Sequence, residues 1–328
     1  MRIAITGGTG FLGIPLVRKL LHDGHAVSLL REKGNAIFDG ESLPIRIVEG
    51  DINDARALAE LVKDADLMFH LAGKVHDPYG KPEDFMRVNV EGTRRVVDSA
   101  IENKVRKIVF YSTIMVYGRI SNAGDNETSE CEPRDHYGAS KLKAEEIVLN
   151  AAKNGMCDAV VLRLPVVYGP FDKGNIRRLI KAVSQKLFVY FGDGKAKRTM
   201  IYSGNVVEAA CVAGDRDCGK GGVVYCIADG NDYTIVELVE TICDVLGIDW
   251  RPLHVPQCVA DLAGRCGDAL KPVLGRRVSI DSDQVKKLSS SLTFSCGKIK
   301  RELGYAPKIG LKEGIRAEIE WMRREGLL

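Results

Sequence analysis

Apolar residues in the first half of the chain fall into short runs separated by stretches with a helical period. The runs Arg2–Thr6, Ala26–Leu30, Ile45–Glu49, Leu67–Leu71, Lys107–Ser112 and Ala159–Leu164 read as short, mostly apolar strands of a parallel sheet. Between them, Gly13–His22 (apolar at Leu16, Val17, Leu20 and Leu21), Ala55–Val62, Asp84–Glu102 and Ser140–Asn154 read as helices. This alternation predicts an α/β fold: a Rossmann-type doubly wound parallel sheet with right-handed crossovers and helices on both faces. Beyond Leu164 the rhythm weakens. Val223–Ile227 is expected to return to the sheet as a late strand, and Thr234–Leu246 to form a helix capped by Thr234. Lys312–Arg324 has an amphipathic pattern, whereas Pro252–Pro272 looks loop-like or irregularly helical. The expected division is residues 1–164 as one domain, with a late strand near 199–230 returning to it. Residues 165–198 and 231–328 would then form a smaller, mixed lobe.

Composition narrows the class without changing this picture. A chain of 328 residues, 45% hydrophobic and 28% charged, has the balance of a globular enzyme. A formal charge of +3 and the lack of a basic block argue against a nucleic-acid partner. No apolar run approaches the roughly 20 residues that span a membrane. The nine cysteines are scattered without a Cys-x-x-Cys pair or metal-ligand spacing. Together with the missing leader pattern, this predicts reduced thiols in a cytoplasmic protein with no metal.

Ligands of doubly wound sheets gather at the carboxyl ends of the strands. The first strand breaks into Thr6-Gly7-Gly8-Thr9-Gly10-Phe11-Leu12-Gly13 and continues as a helix. Glycines let the backbone approach a pyrophosphate, and a helix N-terminus attracts its charge, so this turn reads as a dinucleotide site. The alternative is a tight strand–helix turn without a ligand. Arg31 follows the second strand, where an NAD-selective protein places a carboxylate; a guanidinium there suits the 2′-phosphate of NADP. Glu32, which follows it, still offers an acceptor for ribose hydroxyls, and a solvated arginine is the other reading. Asp51-Ile52 after the third strand suits an adenine amino group, or else Asp51 caps the next helix. Leu71-Ala72-Gly73 after the fourth offers a low wall for a cofactor. The fifth ends in Ser112-Thr113, and Tyr137 and Lys141 later share one face of a helix. A lysine beside a phenol stabilises the phenolate, so a lowered Tyr137 pKa is expected.

With these residues in view the chain resembles the extended short-chain dehydrogenase/reductase family, in its nucleotide-sugar epimerase, dehydratase and ketoreductase branch. The likeness runs through Thr6–Gly13, Gly50-Asp51, His70-Leu71-Ala72, Asn89-Val90-Glu91-Gly92-Thr93, Ser112-Thr113, Val116-Tyr117-Gly118, Tyr137–Lys141 and Val167-Tyr168-Gly169-Pro170. It continues through Arg301–Pro307, Gly314 and Trp321. The resemblance implies Tyr137 as acid/base, Lys141 as its tuning and ribose-binding partner, and Thr113 as the group orienting the substrate hydroxyl. It also implies Asn89 and Pro165 at the cofactor pocket and NAD or NADP as cofactor, with Arg31 tilting toward NADP. Helices Asp84–Glu102 and Ser140–Asn154 pair across a two-fold axis in relatives, so a homodimer is expected.

On the substrate side the resemblance implies that Asn175 and Arg198 hold a nucleotide diphosphate, with Lys74 and Arg277 as further candidates. Tyr202-Ser203-Gly204-Asn205 departs from the His-Val-Asp-Asp found in many relatives. Ile114-Met115 stands where the 4,6-dehydratases carry Asp-Glu, and apolar side chains cannot move that proton. A nucleotide-sugar 4-epimerase is therefore expected first. The alternatives are an NADPH-dependent 4-ketoreductase, a 3β-hydroxysteroid or dihydroflavonol type of reductase, and a non-enzymatic cofactor-binding regulator.

Overall fold

The computed structural model describes residues 1–41, 43–75, 80–118, 124–217, 221–274 and 282–328. Its first half alternates β1 (Arg2–Thr6), α1 (Gly13–His22), β2 (Ala26–Arg31), β3 (Ile45–Glu49), α2 (Ala55–Val62) and β4 (Leu67–His70). Then come α3 (Pro82–Phe85), a π-helical stretch Met86–Glu91, α4 (Gly92–Glu102), β5 (Lys107–Thr113), α5 (His136–Lys153) and β6 (Asp158–Leu164). The second half adds β7 (Val166–Tyr168), α6 (Asn175–Ser184), β8 (Tyr190–Phe191), β9 (Lys197–Tyr202), α7 (Ser203–Asp215), β10 (Val223–Cys226) and β11 (Asp232–Thr234). It ends with α8 (Ile235–Leu246), β12 (His254–Val255), α9 (Gln257–Leu274), α10 (Ser282–Ser289), α11 (Gly297–Leu303) and α12 (Leu311–Arg324).

Seven strands form one parallel sheet in the order β10-β6-β5-β4-β1-β2-β3. The winding reverses between β1 and β4, which opens a crevice at their carboxyl ends. Two cores flank the sheet. One packs α1, α7 and α11 through residues such as Leu16, Val17, Val206, Ala210 and Ile299; the other packs α2, α4 and α5 through Leu58, Leu61, Val96, Val97 and Val148. Each such Leu, Ile or Val side chain contributes about 1.5–3 kcal/mol when removed from water. A third core lies in the smaller lobe, where Ile180, Val239, Ile242, Ile315, Ile319 and Met322 join α6, α8 and α12. That lobe carries the mixed sheet β11-β9-β7 and the pair β12-β8.

Three segments differ from their sequence pattern. Helix α5 starts at His136, four residues before Ser140, because the Asp135 carboxylate caps it by accepting the Gly138 N–H at 2.6 Å. The stretch expected at Asp84–Glu102 begins at Pro82, in the first turn where proline is favoured, and contains the π-helical segment. Pro252–Pro272 holds a regular helix, α9, obscured in sequence because Val259 and Leu262 are exposed while Ala260 and Gly264 face inward. In addition, Cys296, Ile299, Leu303 and Tyr305, expected in the second lobe, pack into the main core.

Asn205 explains one departure from the family pattern. Its amide donates to Asp229 Oδ1 at 2.6 Å and to the Ile309 carbonyl at 2.8 Å, and its oxygen accepts from the Lys308 and Ile309 N–H groups. Asp229 also accepts from Tyr168 OH and the Tyr202 N–H, and burial pushes its carboxyl pKa up. Restoring the family carboxylate should therefore be harmful. Asn205→Asp is expected to cost about 2–4 kcal/mol by removing two donors and setting two buried acids together. A urea unfolding midpoint equal to that of the unaltered protein would refute this.

Candidate active site

The glycine turn fits a pyrophosphate by its shape. Gly7 has φ +72°, and a Cβ there would stand 2.5 Å from the Ala72 nitrogen, so the β1 turn and the chain leaving β4 meet backbone to backbone. A Cβ at Gly13 would stand 2.2 Å from the Gly7 carbonyl oxygen, which holds the start of α1 against the turn. Helix α1 begins at Leu12-Gly13 without a side-chain cap, so no side chain competes with an anion for its first N–H groups. Phe11 and Leu12 lie at this edge, half-buried. Asp51 accepts from the N–H and side-chain amide of Asn53 at 2.8 and 2.7 Å, and Asp54 caps α2, so Asp51 is not the cap. Ile52 is buried against Gly92.

Below the turn, His70 ends β4. Its Nδ1 pairs with Thr6 Oγ1 at 2.7 Å and its Nε2 with Thr93 Oγ1 at 2.9 Å, tying β1, β4 and α4 together. Burial first, and the Lys141 charge second, lower its pKa from 6.5 to about 3. The folded protein thus keeps His70 neutral where the unfolded chain binds a proton. This contribution to stability is intact above pH 6.5 and is lost as pH falls toward 3, in total about 4–5 kcal/mol. Compared with His70→Gln, the wild-type chain is expected to lose stability more steeply over that window. Parallel urea midpoints against pH for the two proteins would refute the assignment.

Beyond β4, Leu71 donates its N–H to the Thr6 carbonyl at 3.1 Å and Ala72 to Thr6 Oγ1 at 3.4 Å, fixing the wall Leu71-Ala72-Gly73. Asn89 sits in the π-helical stretch. It accepts the Lys74 N–H at 2.7 Å and donates to the Lys74 carbonyl at 3.0 Å and to Ser140 Oγ at 2.8 Å. One side chain thereby joins this wall to the start of α5; such local π-helical turns are frequent at functional sites.

Thr113 ends β5 and Tyr137 lies in the first turn of α5, and the two side chains are hydrogen-bonded. Gly138 makes that approach possible, since a Cβ there would stand 2.5 Å from the Met115 carbonyl oxygen. Lys141 is buried one turn further on, with Nζ 4.0 Å from the centre of the Phe110 ring. Burial raises the Tyr137 pKa to about 12, against a lowering by the Thr113 hydrogen bond, and lowers the Lys141 pKa to about 7. The expected lowered phenol is thus corrected for the protein alone: desolvation of the phenolate outweighs its neighbours.

The other candidates do not converge as well. Arg31 donates to Asp39 Oδ1 at 2.5 Å, to Glu49 Oε1 at 3.2 Å and to the Ile37 carbonyl at 3.2 Å, so two carboxylates already hold its guanidinium. Lys74 Nζ lies 3.4 Å from Asp84. Arg198 donates to the carbonyls of Lys197 and Ser290, anchoring β9 to the segment after α10. Asn175 is exposed at the start of α6, behind an Asp172 carboxylate that accepts the Gly174 N–H at 2.6 Å. Pro165 joins β6 to β7 beside the end of β5, and Arg277 lies outside the described residues. Sequence reading missed Glu145 and Arg163, a buried pair behind Ser112; their apolar setting and wide separation gave no local signal.

Dinucleotide turn, strand-end hydroxyl and Tyr/Lys pair together define an enzyme site of the extended short-chain dehydrogenase/reductase type. Residues 3–228 match the model of the NAD dependent epimerase/dehydratase family, and the chain belongs to that family. It is 27% identical over 321 residues to N-acetyl-alpha-D-glucosaminyl-diphospho-ditrans,octacis-undecaprenol 4-epimerase of Escherichia coli O157:H7, covering 97% of this chain and 94% of that one. It is 29% identical over 325 residues to UDP-glucose 4-epimerase of Vibrio cholerae, covering 96% and 93%. Among solved structures, MoeE5 in complex with UDP-glucuronic acid and NAD superposes with a TM-score of 0.78 at 26% identity, covering 99% of this chain and 100% of that one.

Proposed function

We propose that the protein is a nucleotide-sugar 4-epimerase that uses NAD. The Thr113–Tyr137–Lys141 arrangement at the carboxyl end of β5, beside the glycine turn, carries this reading. The relatives that act on UDP-sugars support it. Tyr137 takes the proton of the C4 hydroxyl while Thr113 orients that hydroxyl by a hydrogen bond, and Lys141 favours the phenolate by its charge and holds the nicotinamide ribose. A nicotinamide cofactor bound there would supply a reversible hydride acceptor for C4, so that the keto sugar could turn and regain hydride on its opposite face. Gly7, Gly10, Phe11, Leu12 and Gly13 would hold the pyrophosphate; Asp51 and Ile52 would border the adenine, and Leu71, Ala72, Gly73, Asn89 and Pro165 would line the remaining cofactor wall. Arg31 favours NAD over NADP here, because Asp39 and Glu49 already engage its guanidinium and their charges repel a 2′-phosphate.

Ile114 and Met115 supply no carboxyl group beside the site, which disfavours dehydration. A 4-ketoreductase is the second reading, on the same catalytic residues. Incubation with UDP-, GDP- and dTDP-sugars, with NAD and with NADPH, separates the two by product NMR. Epimers formed without net cofactor turnover support the first. Stoichiometric NADPH oxidation with a keto sugar supports the second, and no reaction with any of these sugars refutes both. The protein is further read as a cytoplasmic homodimer through α4 and α5, which a monomeric mass across concentrations in light scattering would overturn.

A further inference from the structure

Three buried groups from three elements meet behind the proposed acid/base pair. Tyr137, Lys141 and Glu145 follow one another at intervals of four along α5 and so share one helix face. The Glu145 carboxylate accepts from Ser112 Oγ, the residue before Thr113 on β5. It also accepts from Arg163 on β6: Nε at 3.1 Å to one oxygen and 3.2 Å to the other, and Nη2 at 2.6 Å. Arg163 Nη1 donates to Tyr117 OH at 2.8 Å, and that hydroxyl lies 3.2 Å from Cys226 Sγ on the neighbouring β10. The carboxylate therefore ties the face bearing Tyr137 and Lys141 to the strand ending in Thr113. A buried ion pair seldom adds stability over an apolar pair of the same volume, which leaves its presence here to be explained.

We propose that Glu145 is a positioning residue: clamped by Arg163 and Ser112, it sets the depth of the α5 face against β5 and acts as the counter-charge to the Lys141 ammonium. Burial drives Lys141 toward the neutral form, and the Glu145 charge opposes it. Among the described residues, the other groups named around Lys141 do not do so. His70 on β4 is held neutral, Phe110 on β5 presents a ring, and Gly73 presents backbone. Lys74 is joined to Asn89 through its backbone and is paired with Asp84. Asp135, in front of α5, acts on Tyr137 and raises its pKa. The Arg163 guanidinium is paired with Glu145 and donates to Tyr117.

This inference rests on the Tyr137–Lys141 reading, and its test is separable from it. Glu145→Gln alone leaves Arg163 buried without its counter-ion, so the informative protein is E145Q/R163M, alongside Ser112→Ala. Lysine side-chain carbon NMR, with Lys141 assigned by K141R, follows its protonation without cofactor or substrate. In folded E145Q/R163M the Lys141 midpoint is expected about one pH unit lower than in Arg163→Met, which keeps the carboxylate, with the acidic limb of the kcat profile displaced upward and KM little changed. Ser112→Ala keeps the ion pair, so it should keep the midpoint while lowering kcat about tenfold at constant KM. A midpoint in the double variant equal to that of Arg163→Met overturns the counter-charge role, and wild-type kcat in Ser112→Ala overturns the positioning role. Both failures leave the acid/base reading intact, because that reading falls only if a protein lacking the Tyr137 hydroxyl still turns over.

Discussion

Replacing Tyr137 by Phe is expected to lower kcat about 10²–10⁴-fold while leaving NAD affinity within a few-fold of the wild type. The substitution removes one oxygen from a ring packed near Phe85, with centroids 6.4 Å apart, and leaves its apolar contacts in place. It also leaves Lys141, whose charge the proposed mechanism uses, buried as before. What disappears is the hydroxyl that is hydrogen-bonded to Thr113 and that the proposed mechanism uses to take a proton from the substrate and give it back. Single-turnover measurement of the keto sugar distinguishes this from slow product release. A variant that epimerises at the wild-type rate would refute the role, and one that no longer binds NAD would show that the loss was structural.

Gly13→Ala should remove cofactor binding. The added methyl would lie 2.2 Å from the Gly7 carbonyl oxygen and 2.4 Å from Gly8 Cα, and both are backbone atoms that cannot move aside without opening the turn. Opening it separates the start of α1 from β1 and scatters the N–H groups that a pyrophosphate needs. A loss of NAD affinity of at least about 10²-fold is expected, equivalent to roughly 2.7 kcal/mol, together with a lower Tm. Fluorescence titration with NAD reads it directly; an affinity equal to that of the wild type would show that the turn does not contact the dinucleotide.

Sequence reading succeeded where a local rule decides the outcome. The ranges of α1, α2 and β3 follow from apolar period and flanking turns alone, and the glycine turn and Thr113 lie at the ends of β1 and β5, strands that the pattern places. It failed where a distant partner decides. Nothing near Arg31 in the chain announces that Glu49, on the adjacent strand, and Asp39 will share its guanidinium. Arg198 likewise meets Ser290 across the lobe. The Glu145–Arg163 pair joins a helix to a strand whose run is otherwise apolar, so a charged residue in each looked incidental. The start of α5 differs for a local reason instead: Asp135 and Ser140 are equally good caps by residue type, and the structure uses the first.

The π-helical stretch Met86–Glu91 has a consequence for tolerated changes in chain length. Such a turn holds one residue more than an α-helix covering the same rise, so deleting one residue there can restore the regular ladder without turning α4. A deletion within α4 itself would rotate everything after it by about 100° and carry Val96, Val97 and Ala100 out of the core. This helix thus has one place where a residue can be lost at little structural cost, and it is the place that carries Asn89. A chain shortened there would keep its packing but release the clamp on Lys74 and Ser140. Folding and catalysis would then respond separately to the same single-residue deletion.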